Sequence, residues 1–262
     1  MRVARFILSV SISFLLSITL AAQQTATSSP QALLLLRQSA AALSGGQTLT
    51  DVTLSGTARR IAGSDDDTGT AVLKAIALGA SRINLALSSG QRAEILNTTL
   101  IPPAGTWSGP DGVSHVMAYH NLLTGPAWFF PAFTIVQGLS ASGYVAAYVG
   151  PETHNGQAVQ HVSLSQPSLL PATRGGTHLT QVDLFLDSTT LLPSAIALNI
   201  HPDDNFLLDI PVEVRFTDYR TVNAAHVPFH VQQYINNSLS LDFQFQSVRF
   251  NSGLAASTFS VE

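Results

Sequence analysis

Apolar positions early in the chain recur every three to four residues. Leu33, Leu36, Ala40 and Leu43 share one helical face, Ser29 stands where a cap belongs with Pro30 at the first position, and Gly45-Gly46 stops the run. From Leu49 the period drops to two. Val52, Leu54, Gly56 and Ala58 alternate with Thr53, Ser55, Thr57 and Arg59, as in a strand with one buried face. Asp65-Asp66-Asp67-Thr68-Gly69 has the composition of a hairpin loop, and further strands are predicted at Ala71 to Leu78, Ser81 to Leu87 and Arg92 to Leu96. Pro102-Pro103 through Gly112 reads as a turn-rich connector with Trp107 alone in it. Between His120 and Gly138 the alternation breaks into short helical turns, crowded with Leu122, Leu123, Ala127, Trp128, Phe129, Phe130, Phe133 and Val136.

Strand periodicity returns in a hairpin, Gly143 to Val149 and Ala158 to Leu164, followed by a loop from Gln166 to Thr177. The long strands predicted after it are His178 to Leu186, Ser194 to His201, Pro211 to Arg220, Val227 to Ile235 and Ser238 to Phe250. Consecutive antiparallel strands with one apolar face need a cover, and only the first helix and the aromatic segment offer one. The predicted fold is mainly β (α+β): a strongly curved antiparallel sheet forming an open half-barrel, with helices covering the concave face. A closed up-and-down barrel is the alternative.

Before this domain, Arg2 and Arg5 precede an apolar stretch from Phe6 to Leu20, and small Ala21 and Ala22 precede Gln23-Gln24. That is the pattern of a secretory signal peptide over residues 1–22, cleaved near Ala21 or Ala22, with a linker at 23–28 and one domain over 29–262. A periplasmic or secreted protein is expected. No other stretch is apolar for long enough to span a bilayer, so an integral membrane protein is not expected. The chain has no cysteine, which excludes disulfides and thiolate metal sites. Charged residues make up 11% of the chain and its net charge is −4, a balance that attracts neither nucleic acid nor an anionic membrane face.

Several short patterns, in order, resemble the periplasmic lipoprotein-carrier superfamily, the LolA/LppX-like lipoprotein-localisation and sorting proteins. They are Gly79-Ala80-Ser81-Arg82-Ile83-Asn84-Leu85, Trp107 with Asp111-Gly112, the aromatic insert, and Leu184-Phe185-Leu186-Asp187 followed by Thr190-Leu191-Leu192-Pro193. Phe216-Thr217-Asp218-Tyr219-Arg220, Val227-Pro228-Phe229 and Val248-Arg249-Phe250-Asn251 look like the close of the same fold. The resemblance implies an exported incomplete barrel whose interior shelters or senses acyl chains. It also places Arg82 near a position where such carriers often hold an arginine in an early strand.

A lipid or acylated lipoprotein is therefore the expected partner, possible contact with another envelope protein stands beside it, and no cofactor is expected. The candidate ligand-binding cover and lining are Trp128, Phe129, Phe130, Phe133, Leu122 and Arg82. Buried aromatics more often serve as plain core than as a lid, so a barrel simply plugged by these rings is the competing reading. No catalytic residue is expected: Gly105-Thr106-Trp107-Ser108-Gly109 and Gly138 to Gly143 both miss the spacing of a nucleophile elbow. No metal site is expected either. His226 and His230 flank Pro228 on an extended segment that sets them about 13 Å apart. His201-Pro202-Asp203-Asp204 reads as a solvated turn, Asp65 to Asp67 as a loop without the spacing of a calcium site, and Asp218 and Arg220 as a pair facing water. The remaining histidines, His115, His120, His154, His161 and His178, are scattered along the chain.

Overall fold

The computed structural model describes residues 27–77, 79–167 and 177–261, so the expected signal peptide, most of the linker and most of the 166–177 loop lie outside the described residues. The first helix, α1, spans Pro30–Ser44. The Ser29 hydroxyl accepts from the Ala32 N–H at 3.4 Å, and Gly45 ends the helix in the left-handed region at φ 59°. Its buried stripe is Ala32, Leu35, Leu36, Ser39 and Leu43, with Leu33 and Ala40 at the margin of the core.

The strands form one antiparallel sheet of thirteen among the described residues. In chain order they are β1 (Asp51–Ala62), β2 (Asp65–Ile76), β3 (Ala80–Leu87), β4 (Gly90–Asn97), β5 (Ala104–Ser108), β6 (Ser114–Val116), β7 (Val145–His154), β8 (Gln157–Ser165), β9 (Val182–Asp187), β10 (Pro193–Ile200), β11 (Ile210–Val222), β12 (Ala225–Ile235) and β13 (Ser238–Phe250). Every neighbour in the sheet is also a neighbour in sequence except one. β1 pairs with β13, from Val52 opposite Phe250 to Arg60 opposite Leu241, and so joins two meanders whose free edges are β6 and β7. The sheet is open between those edges, which makes it the predicted half-barrel and not the closed alternative.

Residues 117–144 connect the two edges. They hold a 3-10 turn at Tyr119–Leu122 and a second helix, α2, at Pro131–Ser140 that packs on α1. Phe129, Phe130 and Phe133 are at most 1% exposed and share one hydrophobic core with Leu36 and Leu43 of α1 and the inward residues Leu54, Leu73, Val214, Val231 and Phe243. No helix among the described residues is long and apolar enough to cross a membrane.

The structure corrects four sequence expectations. The hairpin after β1 turns at residues 63 and 64, where Gly63 takes φ 61°, and Asp65 already pairs with Ala62 on β2. The aspartates stay on the strand because they find partners there: Asp66 with Arg59 at 2.6 Å, and Asp67 with the Ser88 and Ser89 hydroxyls. The 102–112 connector contains a strand, β5, and Trp107 stacks on its cross-strand neighbour His115 with ring centroids 4.3 Å apart. His178 lies in a turn, with its strand starting only at Val182. His201 is 4% exposed, not part of a solvated turn, because Asn121 holds both its backbone N–H and its carbonyl at 2.8 Å.

The seam between β1 and β13 is close-packed at the backbone. A register shift falls at Ser55/Gly56, and a Cβ on Gly56 would stand 2.1 Å from the Gln244 carbonyl oxygen. At the end of the seam the buried Asp51 carboxylate accepts from the Ser252 N–H and hydroxyl and the Gly253 N–H, all at 2.8–2.9 Å. Burial pushes this carboxyl up, but the donors from Ser252, Gly253 and Leu254 outweigh it and hold it below the usual value of 3.8. A lowered folded-state value means stability that is present above that range and lost as pH falls through it.

Gly56→Val is expected to cost at least about 2 kcal/mol, since the clash is with backbone and the seam must part. Asp51→Asn is expected to cost about 1–3 kcal/mol at neutral pH, with the gap from the parent narrowing as pH drops toward 3. Urea unfolding of both variants across pH checks these values.

Candidate functional site

The bowl is larger than its plugs. A cavity of about 280 Å³ lies between the β4–β5 wall, with Glu94, Leu96 and Trp107, and the β10–β12 wall, with Leu198, Ile200, Val212, Val214 and Ile235. Trp128 and Thr124 lie on its core side, while Asn121 and Asp203 stand at its polar end. The volume falls just below the roughly 300–1,000 Å³ of small-molecule sites, room for one chain or ring and not for several.

Strand alternation explains why these side chains point in. On β4, Arg92, Glu94 and Leu96 lie opposite Leu85, Ile83 and Ser81 of β3, so Glu94 occupies the apolar phase of the sheet. Its carboxyl is pushed up to about 6 by burial, against a lowering effect of the hydrogen bond from the Trp128 indole. Trp128 is 9% exposed and meets Phe129 edge-on at 5.7 Å, which fixes the ring as a wall of the cavity. Farther along the same face, Arg60, Arg92 and Glu94 border a neighbouring cleft of about 220 Å³.

The expected cover residues divide by position. Trp128 lines the cavity, whereas Phe129, Phe130 and Phe133 sit behind it as packed core. Leu122 lines a separate pocket of about 460 Å³, shared with Tyr119, Gln137 and Tyr144 beside α2. Arg82 is on the opposite face: it alternates with inward Ser81 and Ile83, bonds to Asn84 at 3.1 Å and reaches the Thr258 carbonyl at 3.4 Å, under the C-terminal segment. Of the candidates only Trp128 lines this cavity; among the lining residues that the sequence reading missed, Glu94 carries the charge that could have marked it. A charge on the buried phase of an alternating strand is the signal that marks it.

The other missed feature is a histidine cluster beyond the polar end. His201 Nε2 lies 2.9 Å from Asp209 Oδ1, and His178 Nε2 lies 3.7 Å from the same oxygen and 3.2 Å from the Phe206 carbonyl. His120 meets His201 edge-on at 5.8 Å. Burial lowers the His201 imidazole below its usual value, more than Asp209 raises it. The remaining His–carboxylate pairs, His154–Glu213, His161 with Asp183 and Glu152, and His230–Asp242, lie outside the bowl, and His226 instead contacts the Ala42 carbonyl at 2.8 Å. Asp218 and Arg220 pair with each other at the surface.

No family model matches the chain, and no curated protein matches it. Solved structures do. A domain named for outer membrane lipoprotein sorting, from Vibrio parahaemolyticus, superposes with a TM-score of 0.55 at 14% identity, covering 87% of this chain and 96% of its own. A LolA superfamily protein from Nitrosomonas europaea gives 0.56 at 9% identity, covering 88% and 97%. A DUF1329 family protein from Desulfovibrio piger gives 0.54 at 10% identity, covering 88% and 96%. The chain thus shares the fold of these solved structures, an open antiparallel half-barrel.

Proposed function

We propose that this chain is an exported, non-enzymatic protein that binds a single acyl chain, of a lipid or of an acylated lipoprotein, for transport or sensing in the cell envelope. The observation that carries this reading is the cavity beside Trp128: aliphatic side chains from β10, β11 and β12 face it across the bowl, and the plugging rings leave it unfilled. Each methylene moved from water into such a space is worth about 0.8 kcal/mol, so even a short stretch of chain is held appreciably. The sorting and carrier proteins of the same fold lend support, as does the signal-like N-terminal stretch. Exposed rings stand near the polar end, where a chain would enter: Trp107 on the β5 wall, and Phe206, which lies 6.3 Å from His120, the neighbour of Asn121.

Glu94 gives the cavity a pH dependence. Its folded-state value lies above the ordinary 4.5, so the folded protein favours the protonated form and loses stability as pH rises from about 4.5 to 6. A bound hydrocarbon would remove the last water from the carboxyl and strengthen that preference. Binding therefore tightens as pH falls through about 6.

Both tryptophans of the chain, Trp107 and Trp128, line the cavity, so a chain brominated along its length should quench their fluorescence on binding. Leu198→Trp, which fills the space, should weaken displacement of a fluorescent single-chain probe at least tenfold with the circular dichroism unchanged. Native mass spectrometry and displacement that both show an empty, non-binding protein would sink the reading. Glu94→Gln should stabilise the protein by about 1–2 kcal/mol at pH 7.5, with the gain gone below about pH 4.5, and should flatten the pH dependence of probe binding. Chemical denaturation at the two pH values tests this.

A further inference from the structure

We propose that His178, His201 and Asp209 form a binding site for a divalent transition-metal ion of the zinc class at the polar end of the bowl. Three side chains from three separate segments bring one ligand atom each to within 4.8 Å of one another: the turn before β9, the end of β10 and the residue before β11. Two imidazole nitrogens and a carboxylate oxygen are a donor set suited to zinc, with a fourth position left for water.

The spacing fits. Bonds of about 2.0–2.1 Å in a tetrahedron place neighbouring ligand atoms about 3.4 Å apart. Asp209 Oδ1 stands 2.9 Å from His201 Nε2 and 3.7 Å from His178 Nε2, values on either side of that spacing. Both nitrogens already face oxygen acceptors, since His178 Nε2 also approaches the Phe206 carbonyl at 3.2 Å. An ion would take the place of the protons that these contacts now share.

Its framework is fixed on the His201 side. Asn121 clamps the His201 backbone at both its N–H and its carbonyl, and the side chain of His201 is fully buried. The Nδ1 atom of that ring is buried without a partner, so Nε2 is its one polar outlet. Lack of a second hydrogen bond at Nδ1 lowers the expected affinity by about 10–100-fold against a fully supported site. Asp203, two residues beyond His201, belongs to the acyl cavity, so an occupied ion would stiffen that wall. The site itself does not depend on the acyl-chain reading.

The test uses the purified protein without a histidine tag, dialysed against chelator. Titration calorimetry with Zn²⁺ should give one equivalent, the melting temperature should rise by several degrees, and Co²⁺ should develop the intense visible bands of a tetrahedral site. His178→Ala, at a half-buried turn position, and His201→Ala should each abolish the calorimetric signal and the Co²⁺ bands. Asp209→Asn should weaken binding at least tenfold, and His120→Ala should leave the stoichiometry at one. An absence of Zn²⁺ binding at 100-fold excess, or binding that survives His178→Ala and His201→Ala unchanged, overturns the proposal.

Discussion

The fold depends on one long-range pairing. β1 hydrogen-bonds to β2 on one side and to β13 on the other, and only the second contact joins residues about 190 positions apart. Without it the chain would be two meanders, each exposing an apolar face and two edges. With it, one sheet curves far enough to enclose two helices. The close backbone approach at Gly56 and the Asp51 carboxylate beneath the C-terminal segment secure that single join.

Enclosure by an open sheet creates a filling problem that a closed barrel of fewer strands does not have. α1 packs on β12 and β7, and the aromatic segment meets β13 through Trp128 against Phe243 and Phe130 against Phe250. Toward β4 and β5 on one side and β10 on the other, the plugs run out. There the walls remain apolar but face space, interrupted by a carboxyl that water or a ligand must accommodate. The aromatic segment divides between core and cavity wall. Phe129, Phe130 and Phe133 serve as core, and Trp128 turns its ring toward the void.

Much of this was legible in the chain. Helix α1 announced itself by cap, proline and glycine, and the long C-terminal strands by alternation, because each of those signals is local. Misreadings arose where composition and tertiary partners disagreed. Asp65 to Asp67 carry turn residues, yet Arg59, Ser88 and Ser89 satisfy them on a strand. Trp107 in a proline-rich stretch gave no period, because β5 is only five residues long. The site was less visible still. Glu94 could be noticed only once its strand's phase was assigned, and His178, His201 and Asp209 meet through loop placement that no spacing rule encodes.

The same seam has a kinetic consequence. Since β13 ends at residue 250, the first strand cannot find its permanent neighbour until nearly the whole polypeptide is available. Pairing over such a separation requires a large ordered loop before it gains contacts, which slows the final collapse. A chain held back in this way keeps the apolar faces of both meanders open to water until its last strand is in place.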